Sequence, residues 1–302
     1  MAFLSFHELI SLAKKGNFAV GYFESWNLES LLAVYDAAES MKSPVIMGFN
    51  GTWLASEKRY VRDPLELYAG IVRQACESIS VPACSIFNES PYLDVVLQSI
   101  QQGYGIVMYT DENLSYDQLV KNVETVVRKA RRYGVSVEGE LAALPGVLEL
   151  VDDNADLERN LNFTDPVAAT DFVKKTEIDA LAVNIGQAHF HGRQKFSLDI
   201  ERLKKIKSEV EIPLVLHAGS YLSASQIKAA VDNGIRKINV GSILKQVYLK
   251  SLGKSMSGIN KESNPYKIVG SGLKDDIMAK ARVAIMEKVK ELMHLYGSAG
   301  KA

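Results

Sequence analysis

Short apolar runs recur along this chain, each followed by a longer stretch with helical periodicity, and the alternation persists from end to end. The runs are Ala19–Phe23, Pro44–Phe49, Val81–Phe87, Gly105–Tyr109, Val135–Leu141, Ala180–Ile185, Leu214–His217 and Lys237–Val240. They are continuous rather than alternating, as expected of parallel strands covered on both faces. Helix signals fill the gaps. Ser115 and Gln118 form a capping box ahead of a helical pattern that ends at Gly134, and Ser223 and Gln226 repeat the device before Gly234. Thr164 with Pro166 opens another helix. Eight strand–helix units predict a (β/α)8 TIM barrel, the α/β class. A doubly wound sheet is the alternative, but it rarely needs so many regular units.

The whole chain, residues 1–302, reads as a single TIM-barrel domain with a C-terminal helical extension at about 274–296. Two stretches break the rhythm. Ala142–Asn162 has few periodic apolar positions and reads as a lid or active-site loop. Gly253–Leu273, rich in Gly, Ser, Asn and Lys, reads as a mobile connection to a last helix near Asp276–Leu295.

Composition narrows the function. A formal net charge of -1 and 47% apolar residues describe an ordinary globular protein, with neither a basic nucleic-acid surface nor an acidic tail. No apolar run reaches the length of about 20 residues that a membrane span requires. The amphipathic N-terminus has no secretory pattern, and two cysteines are too few for a disulfide framework, so a reducing cytoplasm is the expected setting.

Barrel chemistry gathers at the carboxyl ends of the strands. Those ends carry Glu24, Asn50, Asn88 with Glu89, Glu138 with Glu140, His189, His217, and Asn239 with Ser242. His189 and His217 each follow an apolar run and adjoin small residues. Either alone suits a hydrogen-bonded core position; the pair, each at a strand end, favours a metal. Glu89 would complete a set of two imidazoles and one carboxylate, the usual three protein ligands plus an open position of catalytic zinc. Glu138 and Glu140 alternate on one strand and share a face, where one can help the metal or hold a proton. Gly219 and Ser220 after the seventh run, and Gly241 and Ser242 after the eighth, match the positions from which barrels bind phosphate, and Arg193 adds a cation. Glu149, in the long loop, is a candidate general base.

Several segments taken together resemble the class II, zinc-dependent fructose/tagatose-bisphosphate aldolase family: NFAVGYFESWNLE, SPVIMGF, GVSVEGEL, PLVLHAGS, GIRKINVGS and the tail YGSAGKA. The resemblance implies the barrel, a Zn2+ cofactor, a sugar-phosphate partner and a homodimer or homotetramer. It carries His189 and His217 onto two zinc histidines, Gly219, Ser220, Asn239 and Ser242 onto phosphate- and dihydroxyacetone-binding segments, and Arg193 onto a lysine near the phosphate. Glu149 falls near the loop glutamate that takes a proton from dihydroxyacetone phosphate. The departures cluster. Asn88 stands where the family has its catalytic aspartate and Glu89 where it has the remaining zinc histidine; an amide cannot act as the base for the substrate hydroxyl. Glu24 replaces an asparagine and Asn50 a serine, and a carboxylate there disfavours a second phosphate. The expected activity is reversible aldol cleavage of a phosphorylated ketose through a zinc-stabilised enediolate, on a non-standard substrate. A sugar-phosphate isomerase or epimerase, or an inactive sugar-phosphate-binding homologue, is the alternative.

Overall fold

The computed structural model describes residues 3–141, 163–187 and 197–302. The eight strands are β1 Val20–Ser25, β2 Val45–Asn50, β3 Ala83–Ser90, β4 Ile106–Tyr109, β5 Ser136–Glu140, β6 Ala180–Val183, β7 Leu214–Leu216 and β8 Ile235–Val240. They pair in parallel and in sequence order, and β8 returns to β1 to close the barrel. Among the described residues the helices are α1 Phe6–Gly16, α2 Leu28–Met41, α3 Gly51–Leu54, α4 Leu65–Ser78, α5 Leu93–Gln101, α6 Tyr116–Tyr133, α7 Pro166–Thr176, α8 Ile200–Glu209, α9 Ala224–Asp232, α10 Ser242–Met256, α11 Pro265–Ile268 and α12 Ile277–Leu295. None of them is long and apolar enough to cross a membrane.

Local chemistry accounts for the boundaries. Ser115 caps α6 through the Gln118 box, and Gly134 ends it at a φ of 67°. Ser223 and Gln226 cap α9 in the same way. The expected start of α7 shifts by one residue: Asp165 is the cap, accepting from the Ala168 N–H, with Pro166 at the first helical position. Thr164 turns instead toward β6, where its hydroxyl accepts from the Asn184 N–H. The connection expected from Gly253 begins later, because α10 runs through Gly253 to Met256, and α11 adds a further short helix.

Two apolar layers form. One lies between the strands and the surrounding helices. The other fills the barrel, with Val20, Ile46, Cys84, Ile86, Ile106, Ala182 and Val215 packed against Phe6, Leu9, Ile10 and Ala13 of α1. The Phe3 bridge to Ala83 ties the N-terminal segment to the start of β3, so α1 plugs the amino-terminal end of the barrel. The opposite half of the barrel, toward the carboxyl-terminal mouth, carries polar side chains such as Glu138, Lys237, Asn239 and Asn88. Gly48 permits close strand approach: a methyl group there would overlap the Ile86 carbonyl oxygen.

Candidate functional site

Side chains from five strands or strand ends meet at the mouth of the barrel. Glu138 and Glu140 alternate on β5 and both turn inward, buried. Glu138 Oε1 lies 2.8 Å from His217 Nε2, just past β7, and its Oε2 lies 2.7 Å from Lys237 Nζ on β8. Lys237 Nζ also donates to Asn239 Oδ1 at 2.6 Å, and Asn239 Nδ2 donates to Asn88 Oδ1 at 3.4 Å. On the other side of the imidazole, His217 Nδ1 is 3.0 Å from Glu89 Oε1 and 3.7 Å from Glu140 Oε1. Asn50 Nδ2 donates to Glu89 Oε2 at 2.8 Å. One connected network therefore crosses the barrel from β3 by way of β8, β5 and β7 back to β3 and β2.

The backbone is bent to make this possible. The β3–β4 register slips between Phe87 and Ser90, and within that slip Glu89 has a φ of 44°. Ala218, beside His217, has a φ of 51°. A left-handed conformation is costly for residues with a side chain and persists where surrounding contacts enforce it. Here the two residues flank the same cluster.

Burial and charge oppose each other in the network. Burial alone would strip the proton from His217, but hydrogen bonds to Glu138 and Glu89, with the charge of Glu140, push its pKa up to about 10. Glu138 is driven up by burial and more than offset by Lys237 and His217, which leaves it below the usual glutamate range. Burial lowers Lys237, with Glu138 opposing. Glu140 is raised to about 7, chiefly by burial, helped by the negative charges of Glu89 and Glu138 against the pull of His217. Glu89, Glu138 and Glu140 thus share two buried cations, His217 and Lys237, and Glu140 keeps its proton up to about neutral pH.

A second corner lies between β1 and β8. Glu24 is ion-paired with Lys245 on α10, and its carboxylate fills the space that a side chain at Gly241 would take. Ser220 Oγ accepts from the Ile243 N–H at 3.4 Å, linking the turn after β7 to the start of α10, where Ser242 is the first helical residue. A pocket runs between the two corners, lined by Glu24, Asn88, Glu89, Ser220, Asn239 and Ser242 among others.

Of the residues expected from sequence, Glu24, Asn50, Asn88, Glu89, Glu138, Glu140, His217, Gly219, Ser220, Asn239, Gly241 and Ser242 fall at this end of the barrel. Glu138 sits on the Nε2 side of His217, away from the Nδ1 side where Glu89 and Glu140 converge. His189, Arg193, Glu149 and the Ala142–Asn162 loop lie outside the described residues. Sequence reasoning missed Lys237 and Lys245. The signal for Lys237 was present: a lysine two residues before Asn239 on a strand points to the same face.

A model of the family described as "Fructose-bisphosphate aldolase class-II" matches residues 4–301. The chain belongs to the class II fructose-bisphosphate aldolase family. A sulfofructosephosphate aldolase of Alkalicoccus urumqiensis is 27% identical over 302 residues, covering 100% of this chain and 99% of that protein. Among solved structures, the YdjI aldolase from Escherichia coli K12 aligns with a TM-score of 0.80 at 25% identity, covering 99% of both chains. A putative fructose-1,6-biphosphate aldolase from Coccidioides immitis aligns with a TM-score of 0.79 at 21% identity over 98% of this chain and 97% of its own, a likeness of fold.

Class II aldolases are generally zinc-dependent, and His217 with Glu89 offers part of a donor set for such an ion. Among the described residues no group of three or more His, Cys, Asp and Glu is placed to hold a metal ion. The partial set is nonetheless of the right kind. One imidazole nitrogen of His217 is anchored by a carboxylate, as metal-binding histidines usually are. The other nitrogen faces the carboxyl groups of Glu89 and Glu140.

Proposed function

We propose that this aldolase-family chain is a metal-dependent lyase that reversibly cleaves a phosphorylated ketose by an aldol reaction, and that its substrate differs from the family's usual bisphosphates. The observation that carries the reading is the buried convergence of His217, Glu89 and Glu140 beside the pocket that ends at Ser220 and Ser242. His217 through Nδ1 and Glu89 would hold the ion, with His189 as a further ligand. A divalent cation bound there supplies Lewis acidity toward the ketose carbonyl oxygen.

The other roles belong to the protein's own groups. Glu138 fixes the imidazole by holding Nε2, and Lys237 balances the Glu138 charge. Ser220, Ser242 and the N–H groups at the start of α10 bind phosphate, where the positive end of the helix dipole favours an anion. Glu140, with a pKa near neutrality, can exchange a proton with substrate at working pH. Glu149 is the alternative proton carrier. Glu24, ion-paired with Lys245, lies in this same corner beside Gly241 and Ser242 and borders the phosphate position. The aldolase names of the relatives support a lyase; this chain's own departures at Asn88 and Glu89 support a different substrate.

Asn88 favours one second reading. An amide takes no proton from the hydroxyl at the bond to be cleaved, so the same parts would serve an isomerase or epimerase that stops at enolisation. A screen of phosphorylated ketoses with zinc-loaded protein, following solvent-deuterium exchange and cleavage together, separates the two. Cleavage of at least one ketose supports the lyase; exchange without cleavage across the screen supports enolisation; neither, with metal bound, refutes both.

A further inference from the structure

One buried polar atom in the pocket has no hydrogen-bond partner among the described residues. Tyr22 points into the barrel from β1, between Val20 and Glu24 on the same face, and is 1% exposed. Its hydroxyl has no hydrogen-bond partner among the described residues. Buried tyrosines almost always find one, because an unmade hydrogen bond is costly. The ring is fixed: Lys237 Nζ lies 5.3 Å from its centroid. A phenylalanine would fill that volume as well, so packing does not explain the oxygen.

Tyr22 lines the same pocket as Asn88, Glu89, Asn239, Ser220 and Ser242. The enclosed space there is about 30 Å³, room for about two water-sized groups. That is the size of a substrate hydroxyl or carbonyl oxygen with a neighbour, brought up to a donor that lacks an acceptor. Asn88 lines the same pocket, and its amide cannot exchange a proton with such an oxygen.

We infer that Tyr22 is the catalytic residue that exchanges a proton with the substrate oxygen at the cleaved bond, the part that Asn88 cannot play. The inference rests on the lyase reading above. In the condensation direction the enediolate carbon bonds to the aldehyde carbon, and the carbonyl π pair moves onto the aldehyde oxygen. Tyr22 Oη gives that oxygen its proton, and the tyrosinate is reprotonated from water. In cleavage Tyr22, which burial and the nearby carboxylates keep protonated at rest, first gives its proton to water; the tyrosinate then takes the hydroxyl proton as the carbon–carbon bond breaks, and the bonding pair enters the enediolate. Enolisation of the ketone half uses a carbon-bound proton and does not need Tyr22.

That separation supplies the test, made with zinc-loaded wild type and Tyr22→Phe. Two reactions are followed: deuterium exchange into dihydroxyacetone phosphate, and condensation of dihydroxyacetone phosphate with D-glyceraldehyde. The variant is expected to keep wild-type exchange and to lose condensation by about 100-fold or more. Its melting temperature, measured without ligand, is expected to match or exceed that of wild type, since no hydrogen bond to a described residue is lost. Condensation at the wild-type rate overturns the inference, as does joint loss of exchange and condensation. A melting temperature lower by several degrees also overturns it, by revealing a partner for the hydroxyl within the protein. Wild type that exchanges but does not condense removes Tyr22's role alone; wild type that does neither removes the lyase reading and this role with it.

Discussion

Lys237 and Glu138 are each 0% exposed and lie 2.7 Å apart in the centre of the barrel. Replacing Lys237 with Met keeps the length of the side chain and removes its charge. Glu138 then keeps only His217, and Asn239 Oδ1 loses its 2.6 Å donor. Removing one member of a buried ion pair costs about 3–5 kcal/mol, because an uncompensated charge stays in a region of low polarity. For a chain of this size about 1 kcal/mol corresponds to roughly 2 °C, so Lys237→Met should melt about 6–10 °C below wild type. Adding Glu138→Gln should restore at least half of that loss. It takes away the stranded charge, and its amide oxygen can still accept from His217 Nε2. Scanning calorimetry of the wild type, both single variants and the double variant completes the cycle. A Lys237→Met protein that melts within about 1 °C of wild type, or losses that simply add in the double variant, would refute the pairing as the element that holds the inner network.

Two further outcomes follow from the fold. Gly48→Ala should destabilise strongly, because the new methyl meets the Ile86 backbone carbonyl, which cannot rotate away; soluble, cooperatively melting protein near the wild-type temperature would contradict the β2–β3 packing. Asp276→Ala should cost about 1 kcal/mol by removing the cap that accepts from the Met278 and Ala279 N–H groups. Burial pushes the Asp276 carboxyl up, but hydrogen bonds from backbone N–H groups outweigh it and leave it below the usual aspartate range. A depressed carboxyl contributes stability above its unfolded pKa and loses it as pH falls through the folded value. The gap between variant and wild type in urea melts should therefore be full at neutral pH and shrink below about pH 4; a constant gap would show that the charge is not involved.

The barrel was legible because its evidence is periodic. Apolar runs such as Pro44–Phe49 and the Ser115 capping box are local, and local patterns survive into structure unless packing opposes them. The shared face of Glu138 and Glu140 followed from strand alternation in the same way. What the sequence did not disclose is non-local. His217 meets Glu138, which is 79 positions away, and no pattern near either residue shows which ring nitrogen each carboxylate takes. Lys237 was hidden within an apolar run, where attention to strand ends passed over an inward-facing lysine one layer deeper. Tyr22 looked like an ordinary core aromatic, since a missing partner is visible only once every neighbour is in place. The positive φ of Glu89 belongs to a residue type that rarely adopts it and followed from no rule of composition.

The account turns on Glu89 and His217 gripping one cation together, and metal content tests that most directly. Wild type, Glu89→Ala and His217→Asn are loaded with zinc, dialysed against metal-free buffer and analysed, with circular dichroism to confirm that each is folded. About one zinc per wild-type chain is expected, with most of it lost from both folded variants. Wild type that retains no zinc, or variants that retain as much as wild type, would contradict the claim.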